Sequence, residues 1–329
     1  MADLKQQILE RVSDDLVNIE EALKSNLNPY FDLVKDVAEH IIFSGGKRLR
    51  PLLMILSSRV CNYQGDLSFQ LSTIFEYLHA ATLLHDDIVD EANKRRGKEV
   101  ANKVWDNATA VLTGDFLLAR SLTLAAKTCD PRIIEVMSEI TEMMSQGEIQ
   151  QLFNKGDINL SVEEYMKVIE AKTAVLIRGA TRCGALLANS NEDEIERLSR
   201  YGMNVGLAFQ MADDLLDYTT DSETLGKETG IDLKEGKMTL PVIYTLENAK
   251  QNGSSDVETI ENIIKNPDFS DDDFKVLIEF MEKHGGISKT IDKAKEHIEN
   301  AKKQLSVFKN SKDKELLFMI ADYALVRKV

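Results

Sequence analysis

The chain has 329 residues and a formal net charge of −15 at pH 7, and 17 Gly, 5 Pro and 3 Cys are spread along it. An acidic balance argues against a nucleic-acid partner, which needs clustered Lys and Arg, and it disfavours adsorption to anionic lipid. Three widely spaced cysteines indicate neither a disulfide framework nor a zinc site, and the absence of a signal pattern or an 18-residue apolar run predicts a soluble cytoplasmic protein without a membrane anchor.

The composition predicts a single large all-α domain over residues 1–329. Proline is rare, Leu, Ala, Glu and Lys are abundant, and no Pro/Gly/Ser-rich linker or internal repeat divides the chain. Apolar residues recur at helical spacing from about Asp3 to Leu23, and a second helix is predicted to end near Phe43. These first helices are expected to be packing elements.

A basic segment follows the second helix. Gly45-Gly46 ends that helix, and Pro51 is favoured in the first turn of the next one. Between them lies Lys47-Arg48-Leu49-Arg50, and a helix N-terminus with three cations predicts an anion site. A solvated basic turn is the alternative.

The stretch Leu71–Leu84 is apolar, lacks Pro and Gly, and predicts a helix buried on most sides. It ends in Asp86-Asp87-x-x-Asp90, in which the first and last carboxylates lie about one turn, or 5.4 Å, apart along one face. Oxygen ligands so placed favour Mg²⁺ completed by water and substrate phosphate. A solvated acidic face is the alternative for a single motif.

The second aspartate motif repeats this construction. An apolar helical run from Gly206 delivers Asp213-Asp214-x-x-Asp217. If the two helices lie side by side, the two carboxylate groups predict a multi-metal clamp for a diphosphate. Coincidence is a poor explanation for two such motifs.

Cationic segments accompany the motifs. Arg95-Arg96 follows the first one, and adjacent guanidiniums suit phosphate oxygens. A helix break is predicted near Asp130-Pro131, and Ser161 with Glu164 predicts a capping box. The polar stretch from Thr219 to Lys237 predicts a long flexible loop, either a lid that excludes water or a mobile surface loop.

With these motifs, the chain resembles the trans-prenyltransferases, the all-helical isoprenyl diphosphate synthases. The resemblance spans about residues 40 to 245. It also covers Gly45 through Pro51, Glu76 through His79, Gly114-Asp115, Gly147 through Gln150, Lys172-Thr173, Phe209-Gln210, Gly226-Lys227 and Gly236 through Pro241. It implies a helical bundle of the isoprenoid synthase type around a central cavity, in a homodimer.

The resemblance also implies roles for individual residues. Mg²⁺ would be held by Asp86, Asp90 and Asp213, supported by Asp87, Asp214 and Asp217. Isopentenyl diphosphate would be bound by Lys47, Arg50, His79 and Arg96, and the allylic diphosphate by Arg95, Lys172, Thr173 and Lys227. Lys237 would be a further substrate-binding cation of the loop, and Thr173 and Gln210 would orient the allylic cation and the leaving group. His85 receives no catalytic role, and Arg327-Lys328 is considered for the isopentenyl site.

The expected reaction is successive trans condensation of isopentenyl diphosphate with an allylic diphosphate. The chain-length positions are Leu78, Ala81 and Thr82 on the first aspartate-bearing helix; in short-chain members a bulky residue one turn before the aspartates blocks the tail, and here Ala81 and Thr82 are small. We therefore expect a hexa- to decaprenyl product, with octaprenyl as the best guess, for a quinone side chain. Close helix packing at Ala81 is an alternative explanation, and a tail along the helix of Met143 and Met144 is another.

Three alternative functions share part of this motif pattern. A terpene cyclase is disfavoured because its second metal motif is an Asn/Asp, Ser/Thr, Glu pattern. A shorter-chain farnesyl or geranylgeranyl diphosphate synthase stays open. So does a non-catalytic subunit of a heteromeric synthase, although such subunits tend to lose the aspartates that are all present here.

Overall fold

The computed structural model of the protein describes residues 4–219, 230–266 and 269–326. These residues form two compact units. The first contains the described residues within Met1–Glu139, Leu176–Ser199 and Val307–Leu317, and the second those within Ile140–Val175, Arg200–Ser306 and Phe318–Val329.

The N-terminal elements are helices apart from one minimal hairpin: α1 (Leu4–Arg11), α2 (Ser13–Leu27), α3 (Asp32–Ile42), α4 (Leu49–Val60), α5 (Leu67–Val89), β1 (Lys94–Arg95), β2 (Lys98–Glu99), α6 (Ala101–Val104) and α7 (Asn107–Ala126). The predicted first helix is in fact two helices, since the helical pattern is interrupted between Arg11 and Ser13. The predicted breaks after Phe43 and at Asp130-Pro131 are present.

The remaining elements are α8 (Pro131–Phe153), α9 (Val162–Ile169), a π-helical segment (Glu170–Ala174), α10 (Val175–Leu187), α11 (Glu192–Thr219), α12 (Ile231–Lys234), α13 (Leu240–Gln251), α14 (Asp256–Lys265), α15 (Asp271–Lys283), α16 (Gly286–Gln304), a 3₁₀ turn (Leu305–Val307) and α17 (Lys312–Val326). The predicted all-α fold is confirmed.

Helix α5 is the central element of the first unit. It packs against α2, α3, α4 and α7, and Ile74, Phe75 and Tyr77 are completely buried on it. The Tyr77 hydroxyl donates to the carbonyl oxygen of Leu23 at 2.6 Å, which satisfies its one polar atom. Each fully buried side chain of this size contributes about 1.5–3 kcal/mol, so the helix that ends in the first aspartate motif is firmly fixed.

Helix α7 is the one described helix that is long and apolar enough to cross a membrane by length and composition. It packs against α3, α5 and α6 within the first unit. Leu117, Ser121 and Ala125 on it are completely buried, as expected of a core helix.

The predicted loop between Thr219 and Lys237 contains a helix. The prediction of a loop is wrong for residues Ile231–Lys234, which form helix α12. Residues 220–229, including Gly226 and the predicted substrate-binding Lys227, lie outside the described residues, and so do Arg327 and Lys328.

Candidate active site

The first aspartate motif lies at the C-terminal end of α5. Asp86 and Asp87 are in its last turn, and Asp90 is its C-cap, with its N–H donating to the carbonyl oxygen of Asp86 at 2.8 Å. Asp86 and Asp90 are partly exposed, whereas Asp87 is 1% exposed. The outer two carboxylates are therefore the accessible ones.

Asp87 holds Arg95. The Arg95 Nε donates to Oδ1 of Asp87 at 2.7 Å. Burial raises the pKa of Asp87, and the charge of Arg95 opposes that shift. Its Oδ2 is buried and has no hydrogen-bond partner in the described part of the chain, so the carboxylate retains one unused acceptor.

Arg95 and Arg96 lie on a two-stranded hairpin, not in an irregular segment. Lys94 pairs with Glu99 and Arg95 with Lys98, which leaves Arg96 and Gly97 as the two turn residues, with φ of 52° and 78°. Positive φ at both positions is the type I′ hairpin turn. A non-glycine residue with positive φ is strained. Arg96 is such a residue, and the tight turn holds its side chain at the tip of the hairpin.

The sequence predicts Arg48 as one of three cations of an anion site, but in the structure its guanidinium binds to other residues of the protein. Its Nε donates to Glu20 at 2.6 Å and its NH1 to Glu76 at 2.8 Å, while NH2 donates to the carbonyl oxygen of Ile42. Arg48 is 5% exposed and Glu76 6%. Lys47 is exposed and Arg50 half-buried, so these two are the cations that remain accessible.

Gly46 makes this arrangement possible. A Cβ at Gly46 would stand 3.2 Å from NH1 of Arg48 and 3.3 Å from NH1 of Arg96, and the residue has φ of 156°. Arg48 and Arg96 therefore approach the same glycine, with Glu76 Oε1 at 3.7 Å from that Cβ position.

The two histidines of α5 differ in role. Desolvation and then the charges of four arginines, Arg50 foremost, lower the pKa of His79 well below its usual value, so His79 is a neutral ring within a cationic cluster. The Nε2 of His85 instead lies 3.2 Å from the carbonyl oxygen of Val111 and 3.5 Å from Asp115. His85 is thereby joined to α7 and not to the aspartate motif.

The chain-length positions lie along α5 before the aspartates. Leu78 and Ala81 are each 2% exposed, and the Thr82 hydroxyl, half-buried, donates to the carbonyl oxygen of His79. The apolar wall next to Ala81 is therefore inside the first unit.

The second motif lies within α11 of the second unit, and its three aspartates have different surroundings. Asp213 is exposed, whereas Asp214 is 4% exposed. Asp214 accepts from the Tyr165 hydroxyl at 2.5 Å and from Gln210 Nε2 at 2.8 Å. Gln210 in turn accepts from the Thr173 hydroxyl at 2.9 Å.

Asp217 caps α12. Its two carboxylate oxygens accept from the backbone N–H groups of Ile231 and Asp232 at 3.2 and 3.1 Å. Burial and the charge of Asp217 raise the pKa of Asp232 to about 6, and burial followed by the charge of Asp232 raises the pKa of Asp214. Carboxylates whose ionisation is so disfavoured gain most from a nearby cation.

The predicted lysines of the second unit are paired with glutamates. Lys172 lies 2.5 Å from Glu148, and Lys237 lies 2.6 Å from Glu235. A cavity of about 170 Å³ brings several predicted residues together, with both lysines, Thr173, Gln210 and Asp214 in its wall next to Asp232, Tyr165, Asn154 and Gln151.

Lys172 and Thr173 belong to the π-helical segment Glu170–Ala174. Two glycines allow neighbouring helices to approach it closely: a Cβ at Gly147 would stand 2.7 Å from the Cβ of Ala171, and one at Gly206 would stand 2.6 Å from the Cα of Ala174. Such single π turns inside α-helices are frequent at functional sites.

Four residues of these surroundings were not predicted: Arg48 as an internal ion pair, Glu76, Tyr165 and Asp232. Asp232 could have been suspected, because it lies between Gly230 and Gly236, just before Lys237. Nothing in the sequence indicated the tertiary partners of Glu76 and Tyr165.

The donor chemistry suits a hard divalent cation. Carboxylate oxygens are the ligands that Mg²⁺ prefers, and it is commonly bound through one or two carboxylates plus substrate phosphates. Among the described residues no group of three or more Asp, Glu, His or Cys side chains is arranged to hold a metal ion by itself. The unused buried oxygen of Asp87 and the raised carboxyl pKa values around Asp232 are compatible with a cation.

An all-α chain with two aspartate-rich helical motifs has the features of an isoprenyl diphosphate synthase, a prenyltransferase enzyme. The sequence model of the polyprenyl synthetase family matches residues 31–281. The chain belongs to the polyprenyl synthetase family, and the predicted resemblance to the trans-prenyltransferases is confirmed.

Three similar proteins illustrate the relationship. Octaprenyl diphosphate synthase of Escherichia coli (strain K12) is 34% identical over 98% of both chains. A polyprenyl synthase from Caulobacter crescentus CB15, crystallised with calcium and isoprenyl diphosphate, is 35% identical with a TM-score of 0.90 over 98% of both chains. Geranylgeranyl pyrophosphate synthetase from Pyrococcus horikoshii Ot3 is 29% identical, with a TM-score of 0.91 over 99% of this chain and 100% of that one.

Proposed function

We propose that the protein condenses isopentenyl diphosphate with an allylic diphosphate in successive trans additions and releases a long-chain polyprenyl diphosphate. The expected product lies in the hexa- to decaprenyl range, with octaprenyl as the best guess, and would become a quinone side chain. The protein would act in the cytoplasm. The similarity to an octaprenyl diphosphate synthase over 98% of both chains carries this proposal. The small Ala81 supports it, while the fold alone is shared with a synthase of shorter products.

The metal cofactor of this proposal is Mg²⁺, which Asp86, Asp90 and Asp213 would hold. When bound, it would neutralise charge on the departing diphosphate. Asp87 supports the site indirectly, because it holds Arg95.

The cations of the chain divide between the two substrates. Arg95, Lys172 and Lys237 are proposed for the allylic diphosphate, with Lys227 from outside the described residues. Lys47, Arg50 and Arg96 are proposed for isopentenyl diphosphate, with the neutral His79 as a hydrogen-bonding group. Guanidinium forks and ammonium groups both stabilise phosphate oxygens.

The chemical step breaks the allylic C–O bond, and the diphosphate leaves with the electron pair. The double bond of isopentenyl diphosphate then forms a C–C bond with the allylic cation, and the proton lost afterwards goes to the released diphosphate. Fixed cations act where negative charge develops, and exclusion of water protects the cation from quenching.

Product sizing tests the function directly. Purified protein with Mg²⁺, labelled isopentenyl diphosphate and primers of several lengths should give dephosphorylated products of the hexa- to decaprenyl range. A farnesyl or geranylgeranyl product would instead make it a short-chain synthase. Activity only with a second polypeptide would make the chain a subunit of a heteromeric synthase.

A further inference from the structure

We propose that Tyr165 and Asp214 are positioning residues, which set the direction of the Thr173 hydroxyl through Gln210, and that Asp214 serves this purpose instead of binding a metal ion. The role given to Thr173, which lines the cavity together with Lys172, rests on the proposed function, in which the substrate is an allylic diphosphate.

The four side chains form one continuous hydrogen-bonded chain. Tyr165 donates to Oδ2 of Asp214, Gln210 donates to Oδ1 of the same carboxylate, and Thr173 donates to Oε1 of Gln210, over distances of 2.5, 2.8 and 2.9 Å. Tyr165 and Thr173 lie on the continuous run of α9 and the π-helical segment, and the other two lie one turn apart on α11. The chain therefore joins these elements at two points.

Asp214 is the fixed acceptor within this chain, between Tyr165 and Gln210. It is 4% exposed, and each of its oxygens accepts from a different side chain. The preceding residue Asp213 is exposed, about 100° round the helix. Neighbouring aspartates of one motif thus have separate roles, with Asp213 directed toward solvent and ligands and Asp214 toward the protein.

The chain has a defined direction. Because Gln210 uses its NH₂ group toward Asp214, its carbonyl oxygen is the atom that meets Thr173. Thr173 must then direct its proton to Gln210, which leaves a lone pair of its oxygen for the cavity that these residues line. An oxygen lone pair stabilises positive charge, so Thr173 is arranged to face the allylic cation and not to donate to the diphosphate.

The matched variants Asp214→Asn and Asp213→Asn test the division between the aspartates. Asp214→Asn should lower kcat roughly ten- to hundredfold, the loss of a hydrogen bond to a charged group, and leave the Mg²⁺ concentration for half-maximal activity within about twofold. Asp213→Asn should raise that concentration strongly. An equal rise in both variants would overturn the assignment of Asp214.

Tyr165→Phe and Thr173→Val test the coupling along the chain. Tyr165→Phe alone should lower kcat about tenfold with the KM for isopentenyl diphosphate unchanged, and it should have no further effect in a Thr173→Val background. Thr173→Ser should retain most of kcat, which separates the hydroxyl from a packing role. Independent, multiplicative losses in the double variant would overturn the chain.

Wild-type protein without any Mg²⁺-dependent prenyl product would overturn the proposed function, and with it the role of Thr173 toward the cation. A fully active wild type with a rise in Mg²⁺ requirement for Asp214→Asn would overturn only the positioning role. Circular dichroism melting of each variant, with Thr173→Ser as the reference, verifies that the folded protein is compared throughout.

Discussion

Arg48 and Arg96 have similar backbone geometry and opposite surroundings. Their φ values are 49° and 52°, and non-glycine residues in this region cost about 1–3 kcal/mol each. Arg48 offsets that cost with an ion pair to Glu20 and a buried one to Glu76. Arg96 forms no hydrogen bond or ion pair within the described part of the chain, so its strain is consistent with a ligand-binding role.

Alanine at these two positions should therefore give contrasting results. Arg48→Ala leaves Glu76 buried without its partner and should lower the free energy of unfolding by about 3–5 kcal/mol. Arg96→Ala should change stability by less than about 0.5 kcal/mol but raise the KM for isopentenyl diphosphate more than that for the allylic primer. Urea unfolding and steady-state kinetics measure both, and an equal rise of the two KM values would show that the subsites are wrongly divided.

The sequence could not separate these arginines. Lys47, Arg48 and Arg50 form one basic run, while Glu20 and Glu76, which remove Arg48 from it, each lie 28 residues away along the chain. The aspartate motifs were predictable because the spacing of the carboxylates within each helix is a local property of the sequence. An ion pair between distant segments depends on tertiary packing, which has no local pattern.

Loss of an accessible aspartate should abolish turnover without unfolding the protein. Asp86→Ala and Asp213→Ala are each expected to lower kcat by orders of magnitude with near-normal melting curves, because Asp86 is half-buried and Asp213 exposed. Asp193→Ala, which removes an exposed aspartate of α11 that pairs with Arg197, is the control. Near-normal Mg²⁺-dependent turnover in either test variant contradicts the proposed metal site.

At the scale of elements, α5 should set product length. Ala81 is 2% exposed, and one helical turn of about 5.4 Å is close to one extended isoprene unit. Ala81→Phe should therefore shorten the product toward geranylgeranyl or farnesyl diphosphate while primer consumption persists, at a packing cost of about 1–3 kcal/mol. Leu78→Phe, one turn deeper, should give intermediate lengths.

Chromatographic sizing of dephosphorylated products measures this effect. An unchanged length in a folded, active Ala81→Phe variant would place the tail along another wall, of which the helix with Met143 and Met144 is the candidate. Shortening by Ala81→Phe alone, with no effect of Leu78→Phe, would limit the blocking role to one turn.

The π-helical segment shows what periodicity cannot predict. Apolar residues continue at helical spacing from Val162 through Leu187, so the sequence predicts a single α-helix there. The wider turn of the π-helical segment does not change the amino-acid composition and cannot be recognised from it. The sequence shows Gly147 and Gly206, but it does not show that they contact Ala171 and Ala174, because close approach between helices is a tertiary property.

Gly147→Ala should therefore disturb the segment that carries Lys172. The added Cβ would stand 2.7 Å from the Cβ of Ala171, and relief of that overlap should cost about 1–3 kcal/mol and lower kcat. Thermal melting and kinetics are the measurements. Addition of Ala171→Gly should restore part of both, and a Gly147→Ala variant with unchanged stability would contradict the close approach.

At the scale of the whole molecule, the all-α class and the family were accessible from sequence because they rest on composition and on motifs spread over about 200 residues. The single domain over residues 1–329 stays a proposal. Helix α7 has two adjacent apolar side chains that remain exposed. Leu112 is 66% exposed and Val111 37%.

We propose that these side chains contribute to the contact of the homodimer that the family resemblance implies. Val111 and Leu112 are adjacent exposed apolar residues of α7, a helix that also packs on α3 and α5, and exposed apolar surface marks association sites. Leu112→Glu should convert a dimer to monomers, because each copy would place a charge in an apolar contact. Light scattering after gel filtration measures the mass, and Val276→Glu, at an exposed apolar residue of α15, is the control. A monomeric wild type, or a dimer that persists in Leu112→Glu, contradicts association through α7.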